Sequence, residues 1–137
     1  MQVAAIVVNY NDVETTLAQI ERLEALPSIA KVIVVDNNSS DDSRVRLKAR
    51  ACERVIFIQA KRNGGYGYGN NIGLYYAHEN HFDMALIANP DTYISEDVLK
   101  KMCVILKKNK KLALIAPKMN LPGIENRPGS KENIVHG

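Results

Sequence analysis

Four polar clusters hold the residues of this chain best suited to chemistry: Asn9-Tyr10-Asn11, Asp36-Asn37-Asn38-Ser39, the glycine-rich stretch from Asn63 to Gly73, and Asn89-Pro90-Asp91. Asp and Asn side chains supply the acceptors and donors that recognise a base edge or ribose hydroxyls. Five of the eight glycines (Gly64, Gly65, Gly67, Gly69, Gly73) fall within ten residues. Such a backbone lets N–H groups approach a phosphate or sugar closely, and a helix beginning near Asn70 would turn its N-terminus toward an anion. One carboxylate such as Asp91 holds Mg²⁺ or Mn²⁺ when waters and substrate phosphate oxygens complete the coordination sphere. What these residue types share is recognition of a phosphorylated, sugar-bearing ligand. Each also has an ordinary reading alone: Asn-Pro-Asp-Thr as a turn, the run from Asp36 to Asp42 as a turn and helix cap, and the glycines as a flexible surface loop.

Spacing removes several better-known sites. The glycines read G-x-G-x-x-x-G after a third apolar run, whereas a dinucleotide fingerprint needs G-x-G-x-x-G directly after the first strand, and the phosphate loop of ATPases needs Gly-Lys-Ser/Thr. A phospho-accepting receiver domain would carry an acidic pair where this chain has Asn9-Tyr10-Asn11. His78 and His81, three apart on a predicted helix, lack a third ligand for zinc. The basic run from Lys107 to Lys111 closes a predicted helix, where cations favour the helix dipole.

The elements that must position these clusters follow from hydrophobic pattern. Five continuous apolar runs, Val3–Val8, Val32–Val35, Val55–Ile58, Ala85–Ala88 and Leu112–Ala116, predict strands covered on both faces, as in a parallel sheet. Between them, Val13, Leu17, Ile20, Leu23 and Leu26 recur at helical spacing, with Asp12 as N-cap and Pro27 as the stop. Asp41, Asp42 and Ser43 open a second, basic helix running to about Glu53, and Ser95-Glu96-Asp97 opens another whose Val98, Leu99, Met102, Ile105 and Leu106 share one face. The alternation predicts an α/β fold, a mostly parallel sheet with flanking helices and right-handed crossovers. Ligands in such sheets bind beyond the carboxyl ends of the strands, where the strand order reverses. All four clusters fall at such ends.

The chain has 137 residues, 46% of them apolar and 24% charged, enough for one core without staples. Its net charge of +3 is not arranged as a basic stripe interleaved with aromatics, so no nucleic-acid partner is expected. Cys52 and Cys103, lacking a C-x-x-C spacing, read as reduced core thiols of a cytoplasmic protein. The run Val3–Val8 is too short for a signal-peptide core, and no stretch approaches the roughly 20 apolar residues of a membrane span. After Ala116, Pro117, Pro122, Gly123, Pro128 and Gly129 predict irregular structure.

In order, Val7-Val8-Asn9-Tyr10-Asn11, Val34-Val35-Asp36-Asn37-Asn38-Ser39-Ser40-Asp41, the segment Asn63 to Leu74, and Leu86-Ile87-Ala88-Asn89-Pro90-Asp91-Thr92 resemble the motifs of family 2 glycosyltransferases, in particular the rhamnosyltransferase-like branch. The resemblance implies the GT-A fold. It further implies inverting transfer of a sugar, rhamnose in that branch, from a nucleotide-diphospho-sugar such as a dTDP- or UDP-sugar to a glycan or lipid-linked acceptor in polysaccharide biosynthesis, with Mg²⁺ or Mn²⁺ as cofactor. By this resemblance Asn9 belongs to the nucleotide-sugar-binding set, Tyr10 lies against the base, and Asp36 and Asn37 read its edge or the ribose. Asn63, Gly65, Gly69, Asn70 and Asn71 line the donor, Asn89 contacts it, and Asp91 holds the metal. Asn89 occupies the first place of the family's D-x-D-like motif.

The general base of that family comes from an acceptor-binding half, expected beyond residue 137; Glu125 and Glu132 lie in the irregular tail. The expected organisation is a nucleotide-sugar-binding domain over 1–116 and, over 117–137, the start of that acceptor half, so the chain alone should turn over poorly. A lipid-linked acceptor leaves room for peripheral association with the inner face of the plasma membrane. Two other classes share parts of the pattern: a non-catalytic nucleotide-binding module, and a nucleotidyltransferase, which would carry a Gly-rich, Arg/Lys-containing signature after the first strand.

Overall fold

The computed structural model describes residues 2–115 and 134–136. The chain divides into two compact units, Met1–Tyr93 and Ile94–Gly137. The first unit runs β1 (Val3–Asn9), α1 (Val13–Glu24), β2 (Ile29–Asp36), α2 (Ser43–Arg50), β3 (Val55–Gln59), α3 (Gly65–Glu79) and β4 (Met84–Ile87). These strands form one sheet in the order β3-β2-β1-β4, every pair parallel. Every residue of β1 is buried, which is why its run is apolar without alternation.

The chain steps from β1 to β2 to β3 in one direction, and α3 then carries it back past β1 to β4. With right-handed crossovers that reversal puts α3 on the face opposite α1 and α2, and places the switch between β1 and β4. One face of the sheet presents Ala4, Ile6, Val8, Ile33 and Val35 to Ala77, Tyr68, Ile72 and Tyr76 of α3. Toward α1 and α2 the chain buries Val13, Ile20, Leu23 and Leu47.

The glycine-rich stretch departs from expectation. The helix starts at Gly65, not near Asn70, so most of the predicted loop is its first two turns. Glycine disfavours helix, yet here packing overrides propensity. A Cβ on Gly73 would sit 2.4 Å from Cγ2 of Ile6, and one on Gly69 2.7 Å from Cγ1 of Val8. Gly69, Gly73 and Ala77, four apart, form a stripe of small residues that brings α3 down onto β1. Gly73→Val should therefore overpack that contact and destabilise the chain by about 3 kcal/mol, seen as a lower urea midpoint with an unchanged slope.

In the second unit, α4 (Glu96–Lys108) opens with Ser95, whose hydroxyl accepts the Val98 N–H at 3.2 Å. The run expected as a fifth strand of the main sheet forms β5 (Leu112–Ile115), which pairs antiparallel with β6 (Ile134–His136) instead. Apolar periodicity marks a strand but not its partner, and β6 falls where the sequence predicts no regular element. The rest of the predicted tail, with Glu125 and Glu132, lies outside the described residues.

Smaller corrections concern caps and thiols. Asp12 precedes α1 as expected, but its carboxylate accepts the Thr15 hydroxyl at 2.9 Å instead of a backbone N–H. α2 ends at Arg50, three residues early, and His81 lies beyond the end of α3 with φ 61°. Both cysteines are free, but only Cys103 is buried, where desolvation pushes its thiol pKa up; Cys52 is exposed. Among the described residues no helix is long and apolar enough to cross a membrane.

Candidate functional site

Register brings the polar strand ends together. Asn9 pairs with Asp36, and Asp36 with Gln59, so three polar side chains end three adjacent strands in one row. Asp36 is completely buried and its carboxylate is filled. Oδ1 accepts from Asn9 Nδ2 at 3.0 Å and Ser39 Oγ at 2.6 Å; Oδ2 accepts from the Ser39 N–H and from Gln59 Nε2, both at 3.1 Å. Asn9 is equally buried and equally occupied, its Oδ1 accepting the Thr16 hydroxyl at 2.6 Å. A carboxylate so surrounded is stable in the interior because each lone-pair direction has a donor. Asp36 and Asn9 thus form the floor of the sheet edge, beneath the surface a ligand would meet.

Asn37, the next residue, is different. Its Nδ2 donates at 3.0 Å to Asn63 Oδ1 and at 3.0 Å to the Gly65 carbonyl, which fixes the amide's orientation. Asn63 Oδ1 also accepts the Gly65 N–H at 3.0 Å, so the β2 tip, the β3–α3 loop and the first turn of α3 form one unit. The Oδ1 of Asn37 is buried and has no hydrogen-bond partner, although the residue is only 3% exposed. Gln59 Oε1 is in the same condition beside Asp36.

Asn11 and Asn38 take the left-handed conformation, φ 49° and 59°, which Asn tolerates better than most residues. That bend lets Asn11 bond the loop after β2, donating its N–H to Ser39 Oγ at 2.9 Å and its Nδ2 to Ser40 Oγ at 3.1 Å, and accepting the Ser40 N–H at 2.8 Å. Tyr10, between Asn9 and Asn11, is left 45% exposed. Hydrogen bonding from Ser43, whose N–H donates to Oδ1 at 2.9 Å, holds the exposed Asp41 carboxyl below the usual carboxylate range.

On the other side of the switch, Asn89 and Asp91 are exposed while Pro90 between them is buried. Among the described residues no group of three or more His, Cys, Asp or Glu gathers in one place, so a cage made by protein alone is not present. Asp91 and the Asn89 amide fit instead a divalent cation that takes most of its oxygens from water and a bound diphosphate.

The structure therefore gathers Asn9, Tyr10, Asp36, Asn37, Asn63 and Gly65 at the carboxyl edge, with Asn89 and Asp91 following the neighbouring strand of the same edge. Gly69 serves packing against Val8. Asn70 is half-buried, and Asn71 lies on the outer side of α3 with Leu74, Tyr75 and His78 around a shallow groove of about 190 Å³, away from the strand ends. Sequence reasoning misses Gln59, Thr16, Gln19 and Arg22. Gln59 could have been found as the polar residue closing the third apolar run, and Gln19 as a polar residue within the apolar stripe of α1.

Comparison with known proteins fits this geometry. Residues 4–131 match the family described as glycosyl transferase family 2. The low-salt glycan biosynthesis hexosyltransferase Agl10 of Haloferax volcanii is 29% identical over 121 residues, 87% of this chain and 37% of that protein. The fragment 1–349 of S. aureus TarS superposes with a TM-score of 0.67 at 26% identity, covering 95% of this chain and 39% of that one, and it has also been solved with UDP. The mannosyltransferase PcManGT of Pyrobaculum calidifontis, solved with GDP-Man and Mn²⁺, shares the fold with a TM-score of 0.66 at 19% identity, over 80% of this chain and 33% of that one. The chain thus spans about 37% of the length of the curated relative it matches. With a parallel sheet flanked by helices in the GT-A arrangement and a family match running over residues 4–131, the chain belongs to glycosyl transferase family 2.

Proposed function

We propose that this chain is the donor-binding part of an inverting glycosyltransferase that takes a dTDP- or UDP-linked sugar and passes it to a glycan or lipid-linked acceptor. The observation that carries the reading is the Asn37 amide oxygen, buried, held in place and without a donor at the carboxyl edge of the sheet. A buried acceptor left unpaired costs about 1–3 kcal/mol, which a ligand N–H would recover on opening the edge enough to reach it. Uracil, thymine and guanine each present a ring N–H; cytosine and adenine do not. That UDP and GDP-Man occur with two neighbours of the same fold supports a ring N–H as the partner.

In this reading Tyr10 lies against the base, Asn37 reads its edge, and Asp36 with Asn9 holds the Asn37 backbone in register from below. Asp91, with Asn89 beside it, would hold Mg²⁺ or Mn²⁺, which when bound neutralises charge on the departing diphosphate. The base that takes the acceptor proton belongs to an acceptor-binding half. Rhamnose is the first sugar to test, because the motif resemblance is to that branch. Peripheral association with the inner face of a membrane goes with a lipid-linked acceptor and with the lysines closing α4.

Calorimetric titration with UDP, dTDP, GDP, CDP and ADP in the presence of Mn²⁺ tests this. The diphosphates of uracil, thymine or guanine should bind about tenfold tighter than CDP and ADP, and Asn37→Leu should erase the difference. Equal binding of all five, or of none, would overturn the assignment.

A further inference from the structure

The loop carrying Asn89 and Asp91 is held from outside itself. Gln19 of α1 is 1% exposed, and its Nε2 donates to the Asn89 carbonyl at 2.9 Å and to the Thr92 carbonyl at 2.8 Å. Its Oε1 accepts from Arg22 Nε at 3.0 Å. One helical turn further, Arg22 Nη2 donates to the Pro90 carbonyl at 3.1 Å, and the guanidinium lies 4.3 Å over the Tyr93 ring. The Thr92 N–H closes the turn on the Asn89 carbonyl at 3.1 Å. The carbonyls of Asn89, Pro90 and Thr92 are thus bound to two side chains of α1, while the Asn89 and Asp91 side chains stay exposed.

Without those partners the buried Pro90 ring and the Thr92–Asn89 bond would be left to order the loop, since Pro90 has no N–H to give and Asp91 is exposed. Freezing one free backbone residue opposes binding by roughly 1–2 kcal/mol, so a loop ordered in advance binds its ligand more tightly. We propose that Gln19 and Arg22 are positioning residues: they lock the Asn89–Tyr93 turn so that Asp91 meets a divalent cation and its diphosphate already in place. This rests on the reading of Asp91 as the cation's protein ligand.

The test measures Mn²⁺ binding to the chain in the presence of UDP, from the loss of the free-Mn²⁺ electron paramagnetic resonance signal. UDP affinity without metal and thermal melting are followed in parallel. Arg22→Met should weaken Mn²⁺-supported binding about fivefold to tenfold while leaving metal-free UDP affinity within about twofold, the low end of the loss expected from one loop residue released. Arg22→Lys should be nearly as weak, because an ammonium keeps the charge but cannot bond Gln19 and Pro90 together and lie flat on Tyr93. Gln19→Leu should approach Asp91→Ala, the reference for losing the cation's protein ligand; if it does not fold, the Arg22 pair decides. A general structural defect would lower metal-free affinity and melting temperature together, and that result counts against the proposal. Wild-type Mn²⁺ binding in folded Arg22→Met and Gln19→Leu, with Asp91→Ala defective, sinks the positioning role and spares the reading of Asp91. Unchanged Mn²⁺ binding in Asp91→Ala removes that reading itself, and the proposal with it.

Discussion

Asp36→Ala should lose about 3–5 kcal/mol of stability, a large share of the roughly 7–15 kcal/mol expected for a chain of this size, and lower the urea midpoint accordingly. The reason is local. Removing the carboxylate strands the Ser39 N–H and takes one acceptor each from Asn9 Nδ2, the Ser39 hydroxyl and Gln59 Nε2, all in the interior of the sheet edge. Asp36→Asn keeps the volume but turns one acceptor oxygen into a donor that faces other donors, so it should fall between the wild type and the Ala variant. A urea titration followed by circular dichroism measures this. A loss below about 1 kcal/mol for Asp36→Ala would show that the buried row is incidental to the fold.

Asp91→Ala should do the reverse. The side chain is exposed, so melting should stay within about 0.5 kcal/mol of the wild type. Mn²⁺-supported binding of a nucleoside diphosphate should fall by about 10–100-fold, the range seen when even outer partners of a metal site are removed. Calorimetry of UDP with and without Mn²⁺ in the two variants separates the roles: one carboxylate holds the edge together and leaves nothing free to bind, the other contributes little to the fold and is free. If Asp91→Ala binds UDP with Mn²⁺ as tightly as the wild type, the cation is not held there.

That division could not be read from sequence, where Asp36 and Asp91 are both acidic residues after apolar runs. The runs of β1 and β2 were legible because burial on both faces removes alternation, whereas β4 alternates half-buried and exposed residues at the sheet's edge, a face that its apolar run did not reveal; the element order and the convergence of four polar tips followed all the same. Depth was not legible. Whether Asn9 or Asn37 meets a ligand depends on which amide finds internal partners, and those partners, Thr16, Ser39 and Asn63, come from other elements. The glycines misled for a related reason. A run of them signals backbone freedom, yet Gly69 and Gly73 are needed for the missing Cβ against Val8 and Ile6, a helix–sheet distance that local propensity does not encode. β5 was found as a strand and placed in the wrong sheet, because its partner β6 lies beyond a stretch rich in Pro and Gly.

The central claim is that the carboxyl edge of the sheet, above the buried row of polar strand ends, is a nucleoside-diphosphate site. The titration of nucleoside diphosphates is most direct on an isotopically labelled chain, with backbone amide shifts recorded at each step so that place and affinity are read together. Saturable shifts with UDP or dTDP should concentrate in Tyr10–Asn11, Asn37–Asp41, Ala60–Tyr68 and Asn89–Tyr93, the segments that follow the carboxyl ends of β1, β2, β3 and β4. Shifts confined to the opposite end of the sheet, around Ala25–Ser28, Ala51–Arg54 and Asn80–Asp83, or no shifts with any nucleotide, would contradict it.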